Sequence, residues 1–134
     1  MSRVAVVTGG TRGIGEAISI ALRDQGMIVA ANYAGNDERA REFTARTGIR
    51  AYKWDVGDHE ATLAGCARVE AELGPVDVVV NNAGITRDGT LLKMTYEDWK
   101  QVMDTNLGGC FNMAKATFPG MRARGWGRIV NIGS

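Results

Sequence analysis

Two cysteines, two prolines and one histidine are all that 134 residues contain of these types, and each scarcity excludes something. Cys66 and Cys110 lack the spacing of a metal-binding or redox pair, which leaves buried, reduced thiols as the expectation. His59 stands alone beside Asp58 at a predicted helix start, where a solvated capping-region residue is a plainer account than a ligand or a base. No metal is expected. No apolar run approaches the roughly 18 residues of a membrane span, and residues 1–3 lead straight into a strand without a signal-peptide core. A net charge of +1 creates no global field favouring nucleic acid or an anionic membrane. Neither partner is expected, and the composition suits a cytoplasmic α/β protein.

Glycine, by contrast, is abundant. Eighteen glycines are about twice the usual share of roughly 7%, yet glycine and proline together stay below the level of a disordered chain. The most informative cluster is Thr8-Gly9-Gly10-Thr11-Arg12-Gly13-Ile14-Gly15. It follows the apolar run 4–7, a predicted buried strand. After it come Ile14, Ala17, Ile18, Ala21 and Leu22, the stripe of an amphipathic helix. A glycine turn between a buried strand and a helix suits a diphosphate. The first helical amides have no intrahelical acceptor and carry partial positive charge, and absent side chains let a ligand approach. Gly9, Gly13 and Gly15 follow G-x-x-x-G-x-G, a relative of the dinucleotide-binding fingerprint.

Strand and helix signals alternate along the rest of the chain. Residues 27–31 and 49–56 read as strands, separated by a helix that Asn36 caps and that stops near Gly48. Asp58 caps a third helix with Leu63, Cys66, Val69 and Leu73 on one side, closed by Gly74-Pro75. Residues 76–80 form a fourth strand. Thr95 begins helical sequence with Asp98 three residues on, as in a capping box, running past Asn106 to about Arg124 with a bend or break near Pro119-Gly120. Residues 128–132 are a fifth strand. This alternation predicts one α/β domain with a parallel sheet and helices on both faces.

Four motifs resemble the short-chain dehydrogenases/reductases in order and content: Thr8-Gly9-x-x-x-Gly13-x-Gly15, Asn81-Asn82-Ala83-Gly84, Thr105-Asn106-Leu107 and Asn131-Ile132-Gly133-Ser134. The strings Ile85-Thr86-Arg87-Asp88, Lys93-Met94-Thr95, Gly109-Cys110-Phe111-Asn112 and Arg124-Gly125-Trp126-Gly127-Arg128 resemble the branch of acetoacetyl-CoA reductases. The 3-oxoacyl-carrier-protein reductases share much of this pattern. The resemblance implies a Rossmann-like, doubly wound parallel sheet and an NADP-binding domain over residues 1–134. It further implies a 3-oxoacyl thioester substrate, an acyl-CoA above all, an (R)-3-hydroxyacyl product and a homo-oligomer, a homotetramer at full length.

Cofactor choice has a physical argument. NAD enzymes place an acid at the end of the second strand for the ribose 2′-hydroxyl, whereas NADP needs cations for its 2′-phosphate. Here that strand ends in Ala31-Asn32-Tyr33. Arg12 in the glycine loop and Arg39 in the next helix can make charge-assisted bonds to a phosphate, though Arg39 also reads as an ordinary surface arginine. NADP is expected. By resemblance its wall includes Gly9, Thr11, Arg12, Gly13, Ile14 and Gly15 in the loop and Asn32 and Arg39 beyond it. Asp55 and Val56 match the position beside the adenine, although Asp55 also suits a turn. Asn82, Ala83, Gly84 and Ile85 end the fourth strand beside the nicotinamide ribose.

Catalysis in the resembled family uses a tyrosine as general acid, a lysine beside it, a serine on the substrate carbonyl and an asparagine in a proton relay. Ser134 and Asn106 match the last two, and Asp88 is a substrate-side candidate. The family's Tyr-x-x-x-Lys lies about a dozen residues beyond the serine. The expectation is therefore a sheet truncated after its fifth strand, with the catalytic pair absent and an apolar strand edge exposed. A catalytically inactive NADP-binding fragment is the alternative reading. Tyr96 and Lys100 have the right spacing but precede both Asn106 and Ser134, and read as a solvated helix face.

Overall fold

The computed structural model describes residues 2–84 and 92–133. The run Val4–Val7 is strand β1, buried along its whole length. β-Branched side chains on both faces suit the middle of a parallel sheet, where helices cover each side. The glycine turn leads into α1 (Gly13–Asp24), then β2 (Ile28–Tyr33), α2 (Asp37–Thr47), β3 (Arg50–Lys53), α3 (His59–Leu73) and β4 (Val76–Asn81). Beyond residue 91 come α4 (Tyr96–Val102), a π-helical segment (Met103–Gly108), α5 (Gly109–Arg124) and β5 (Arg128–Asn131). The strands lie in the order β3-β2-β1-β4-β5, every pair parallel.

Alternation along the strands divides the interior in two. Val4 and Val6 face a core shared with Cys66 and Val69 of α3 and Met113 of α5. Ala5 and Val7 face a second core with Phe43 of α2, flanked by Ile18 and Leu22 of α1. One irregularity adjusts the pattern. Val4 pairs with Val76 but Ala5 with Val78, so β4 carries one extra residue at Asp77. The Asp77 carboxylate accepts from the Val4 amide at 3.0 Å, and the slip lets Val76 and Val79 share a face.

Three caps form as their residue types dictate. Asn36, Asp58 and Thr95 each accept a backbone N–H three residues on, from Arg39, Ala61 and Asp98. Gly48 and Gly125 end α2 and α5 in the left-handed conformation.

Several expectations need correction. The hydropathy stripe on α1 is displaced: Ile14 is 66% exposed, and Ala17 and Ala21 are also outside. Gly15 and Ser19 are the buried residues, because small side chains bring α1 close to the sheet. Thr62, not Leu63, joins Cys66 and Val69 on the inner face of α3; its hydroxyl returns to the Asp58 carbonyl at 2.9 Å, so burying it leaves no polar group unpaired. The third strand spans only Arg50–Lys53. The break in the long helical region falls at the π segment, while α5 continues through Pro119. β5 is last in the strand order of the described residues, with Ile129 and Val130 exposed.

Both cysteines are free, but Cys110 is only half-buried. Burial pushes the Cys66 thiol from 9.0 up to about 12. It is neutral at physiological pH, and the stability this gives is lost as pH rises from the unfolded value through the folded one. A thiol-specific reagent at about pH 8 is expected to label Cys110 in the native protein and to reach Cys66 only on unfolding. Equal labelling rates for the two would contradict this burial.

Candidate functional site

The carboxyl ends of β1 to β4 open on one side of the sheet. The chain turns outward from β1 in both directions, to β2 and to β4, so a crevice forms where the strand order reverses. It is a cleft of about 740 Å³.

Its floor is the glycine loop. Gly9 and Gly13 have φ of 60° and 56°, a conformation that side chains disfavour. A Cβ on Gly9 would also stand 3.1 Å from Ala83 Cα, and one on Gly15 only 1.9 Å from the Gly9 carbonyl oxygen. Loop, helix and β4 end thus meet backbone to backbone. Arg12 precedes α1 without a side-chain cap bond, and the first intrahelical bond runs from Glu16 N to Arg12 O at 3.0 Å. The amides of residues 13–15 are left for another acceptor.

Side chains lock this loop in place. Thr8, buried, accepts at its hydroxyl oxygen from the amides of Asn82 and Ala83, both at 2.9 Å. Asn82 Nδ2 donates to the carbonyls of Thr8 and Gly9, each at 3.2 Å. Asn32 accepts from Gly9 N at 3.3 Å and donates to Trp54 O at 2.9 Å. Ser19 donates to Gly10 O at 3.0 Å. Asn32 and Asn82 therefore line the cleft with their carboxamides engaged in shaping it.

One end of the cleft carries the cations. Arg12 and Arg39 both line it, together with Tyr33, Ala34 and Gly35. Among the described residues no carboxylate from the end of β2 lines the cleft; the nearest, Asp37, accepts from the Tyr33 hydroxyl at 3.0 Å and is not part of the lining. Asp55 and Val56 supply the wall after β3, where Asp55 Oδ1 accepts from Gly57 N at 2.8 Å; the turn role and the place in the cleft coexist. Asn82, Ala83 and Gly84 complete the far side beside Thr105 of the π segment. A Cβ on Gly84 would lie 3.1 Å from Asn106 Oδ1, which sets the Asn106 carboxamide against that lining residue, although Asn106 itself does not line the cleft.

The glycine loop and Thr11, Ile14, Arg39 and the two later strand ends thus converge on one cavity. Gly15 supports it from behind. Ile85, Asp88 and Ser134 lie outside the described residues. Thr8 opens the glycine motif, but the bonding role of its hydroxyl, and Ser19 and Trp54 altogether, were not read from the sequence. Thr8 and Ser19 hold backbone across the loop; the signal for Ser19 was a small polar residue inside an otherwise apolar helix stripe, and that for Thr8 its place at the end of the apolar run 4–7. Tyr96 and Lys100 do not join the cleft: Tyr96 packs on Trp99 with ring centroids 5.6 Å apart, and Lys100 pairs with Asp104 at 2.7 Å. Among the described residues no group of His, Cys, Asp and Glu could hold a metal ion. No helix there is long and apolar enough to cross a membrane.

Comparison with known proteins agrees with this geometry. A family model described as short chain dehydrogenase matches residues 3–134. The acetoacetyl-CoA reductase of Rhizobium meliloti (strain 1021) is 63% identical over 134 residues, covering 100% of this chain and 56% of that protein. A 3-oxoacyl-(acyl-carrier-protein) reductase, FabG, of Staphylococcus aureus (strain Mu50 / ATCC 700699) is 40% identical over 139 residues, with 100% and 56% covered. A crystal structure of a gluconate 5-dehydrogenase from Burkholderia cenocepacia J2315, in complex with NADP and tartrate, superposes with a TM-score of 0.87 at 36% identity, covering 100% of this chain and 55% of that one. The chain spans about half the length of the curated relatives it matches.

Proposed function

The chain belongs to the short chain dehydrogenase family, and from that premise we propose that it forms the NADP-binding domain of an NADPH-dependent reductase of 3-oxoacyl thioesters. The substrate is acetoacetyl-CoA and the product (R)-3-hydroxybutanoyl-CoA, in a cytoplasmic enzyme. One observation carries the reading: a single cleft gathers a glycine-rich loop, two arginines and three further strand ends, with no carboxylate from the end of β2 among its described lining residues. These residues fit the group. Open amides at the start of α1 suit a diphosphate, the cations suit a 2′-phosphate, and bare backbone at Gly9 and Ala83 admits close approach. When bound, the cofactor supplies hydride to the 3-keto carbon. The protein's part is positional: Arg12 and Arg39 hold the phosphate, Asn106 stands in the proton relay, and Ser134 polarises the carbonyl. The exposed Trp99, Leu107, Phe111 and Phe118 support assembly of copies through the α4–α5 region.

Titration with NADPH and NADH tests the cofactor, and rates of the full-length enzyme on acetoacetyl-CoA against a carrier-protein thioester test the substrate. NADPH is expected to bind more tightly and the CoA thioester to react faster. The 40% identity to a carrier-protein reductase favours the other thioester as second reading, and a faster carrier-protein rate would install it. Tyr96→Phe in the full-length enzyme is expected to leave the rate unchanged. A positioned general acid contributes about 10²–10⁴ in rate, so a loss of that size would place Tyr96 in the chemistry.

A further inference from the structure

Asn112 is a carboxamide in the inner face of α5, only 6% exposed. Burying such a group without partners at both ends would be costly. Its Nδ2 donates to the Val56 carbonyl at 2.8 Å, and its Oδ1 lies 3.1 Å from His59 Nδ1. Both ends are satisfied, and by residues 53 and 56 positions away in sequence. The same helical stretch meets this loop at two further points. A Cβ on Gly109 would stand 2.8 Å from Val56 Cγ2, and one on Gly57 would stand 3.3 Å from the Asp104 carbonyl. Helix and loop fit with no spare room, and Val56 with its neighbour Asp55 lines the cleft.

The orientations follow from donor chemistry. The Val56 carbonyl can only accept, so the amide nitrogen faces it and the amide oxygen faces the imidazole. An oxygen acceptor then requires the proton on His59 Nδ1. We propose that Asn112, steadied by His59, is a positioning residue that fixes Val56 and thereby the wall of the cofactor cleft at residues 55 and 56. This rests on the NADPH reading above. It gives the lone histidine a role at the rim of the molecule, and it ties the helix bearing Asn106 to the opposite wall of the cleft.

The test measures NADPH dissociation constants, amide hydrogen exchange and melting temperature for the protein and for His59→Ala and Asn112→Ala. ¹⁵N NMR of the single histidine, on the neutral side of its titration, reads the tautomer. The expected tautomer carries the proton on Nδ1. His59→Ala is expected to weaken NADPH binding about threefold and Asn112→Ala about tenfold, the scale of one hydrogen bond. Exchange should accelerate at Gly57 and Asp58 while the amides of β1 and β4 keep their protection. Should Asn112→Ala fail to fold, His59→Ala, at an exposed position, decides. An Nε2-protonated imidazole, unchanged affinity in both variants, or loss of protection spread evenly over the sheet would each overturn the latch. A wild-type protein that does not bind NADPH overturns the cofactor reading itself, a different result from variants that bind as tightly as wild type.

Discussion

Gly15→Ala is expected to weaken NADPH binding about 100-fold or more and to lower stability by about 3 kcal/mol. Two effects oppose each other. Alanine in a helix is favoured over glycine by about 1 kcal/mol, and less in the first turn. Against this, the new Cβ would lie 1.9 Å from the Gly9 carbonyl oxygen and 2.6 Å from Asn82 Nδ2. Neither neighbour can retreat. The Gly9 carbonyl is held by Asn82 Nδ2 at 3.2 Å, and Asn82 is itself fixed to Thr8. Relief requires moving the glycine loop or α1, and either movement removes the floor of the cleft. Gly13→Ala is a control for stability only: it has a φ of 56° but no protein atom within 4 Å, so folding meets only the left-handed penalty of about 1–2 kcal/mol. Thermal melting of the two variants checks the contrast in stability, and calorimetric titration of Gly15→Ala checks the loss of affinity. Near-wild-type affinity in Gly15→Ala would falsify the backbone packing described for this loop.

Arg12→Ala and Arg39→Ala are expected to separate the two cofactors. Each should cost NADPH about 1.5–3 kcal/mol, the range for a hydrogen bond to a charged group, or roughly 10- to 150-fold in dissociation constant. NADH, without the 2′-phosphate, should change little. Stability should hold in both cases, since Arg12 makes no capping bond and Arg39 contributes its amide, not its side chain, to the Asn36 cap. Parallel titrations with both cofactors check this. Equal losses would show that the guanidinium groups act on something other than the 2′-phosphate.

Much of this arrangement was legible in the residue order, and the exceptions share a cause. Helix caps are local, so Asn36, Asp58 and Thr95 could be read from their types and offsets. The glycine spacing and the residues at strand ends are likewise short-range signals, which is why the residue order alone points to the cleft wall. What escaped depends on partners far along the chain. The inner face of α1 is set by how closely Gly15 and Ser19 approach the sheet, and hydropathy scores neither as a core residue. Thr62 replaces Leu63 inside because its hydroxyl finds a carbonyl one turn back. The link from His59 through Asn112 to Val56 joins segments more than fifty residues apart. Proline gave a false cue: Pro119 lies within α5, and the departure from α geometry falls at residues 103–108, which contain no proline.

The π segment makes the molecule sensitive to deletion in a way that substitution would not reveal. A π turn is a helix with a residue to spare, and each residue of α-helix turns the chain by about 100°. Removing one residue between Met103 and Gly108 would allow unbroken α geometry and a better local hydrogen-bond ladder. It would also rotate everything downstream relative to α4. Gly109 and Asn112 would swing away from Val56, and bulky neighbours would turn toward it. The irregular turn therefore works as a phase-setter: it decides which side of α5 addresses the cleft wall, and a shorter, more regular helix would present the wrong one.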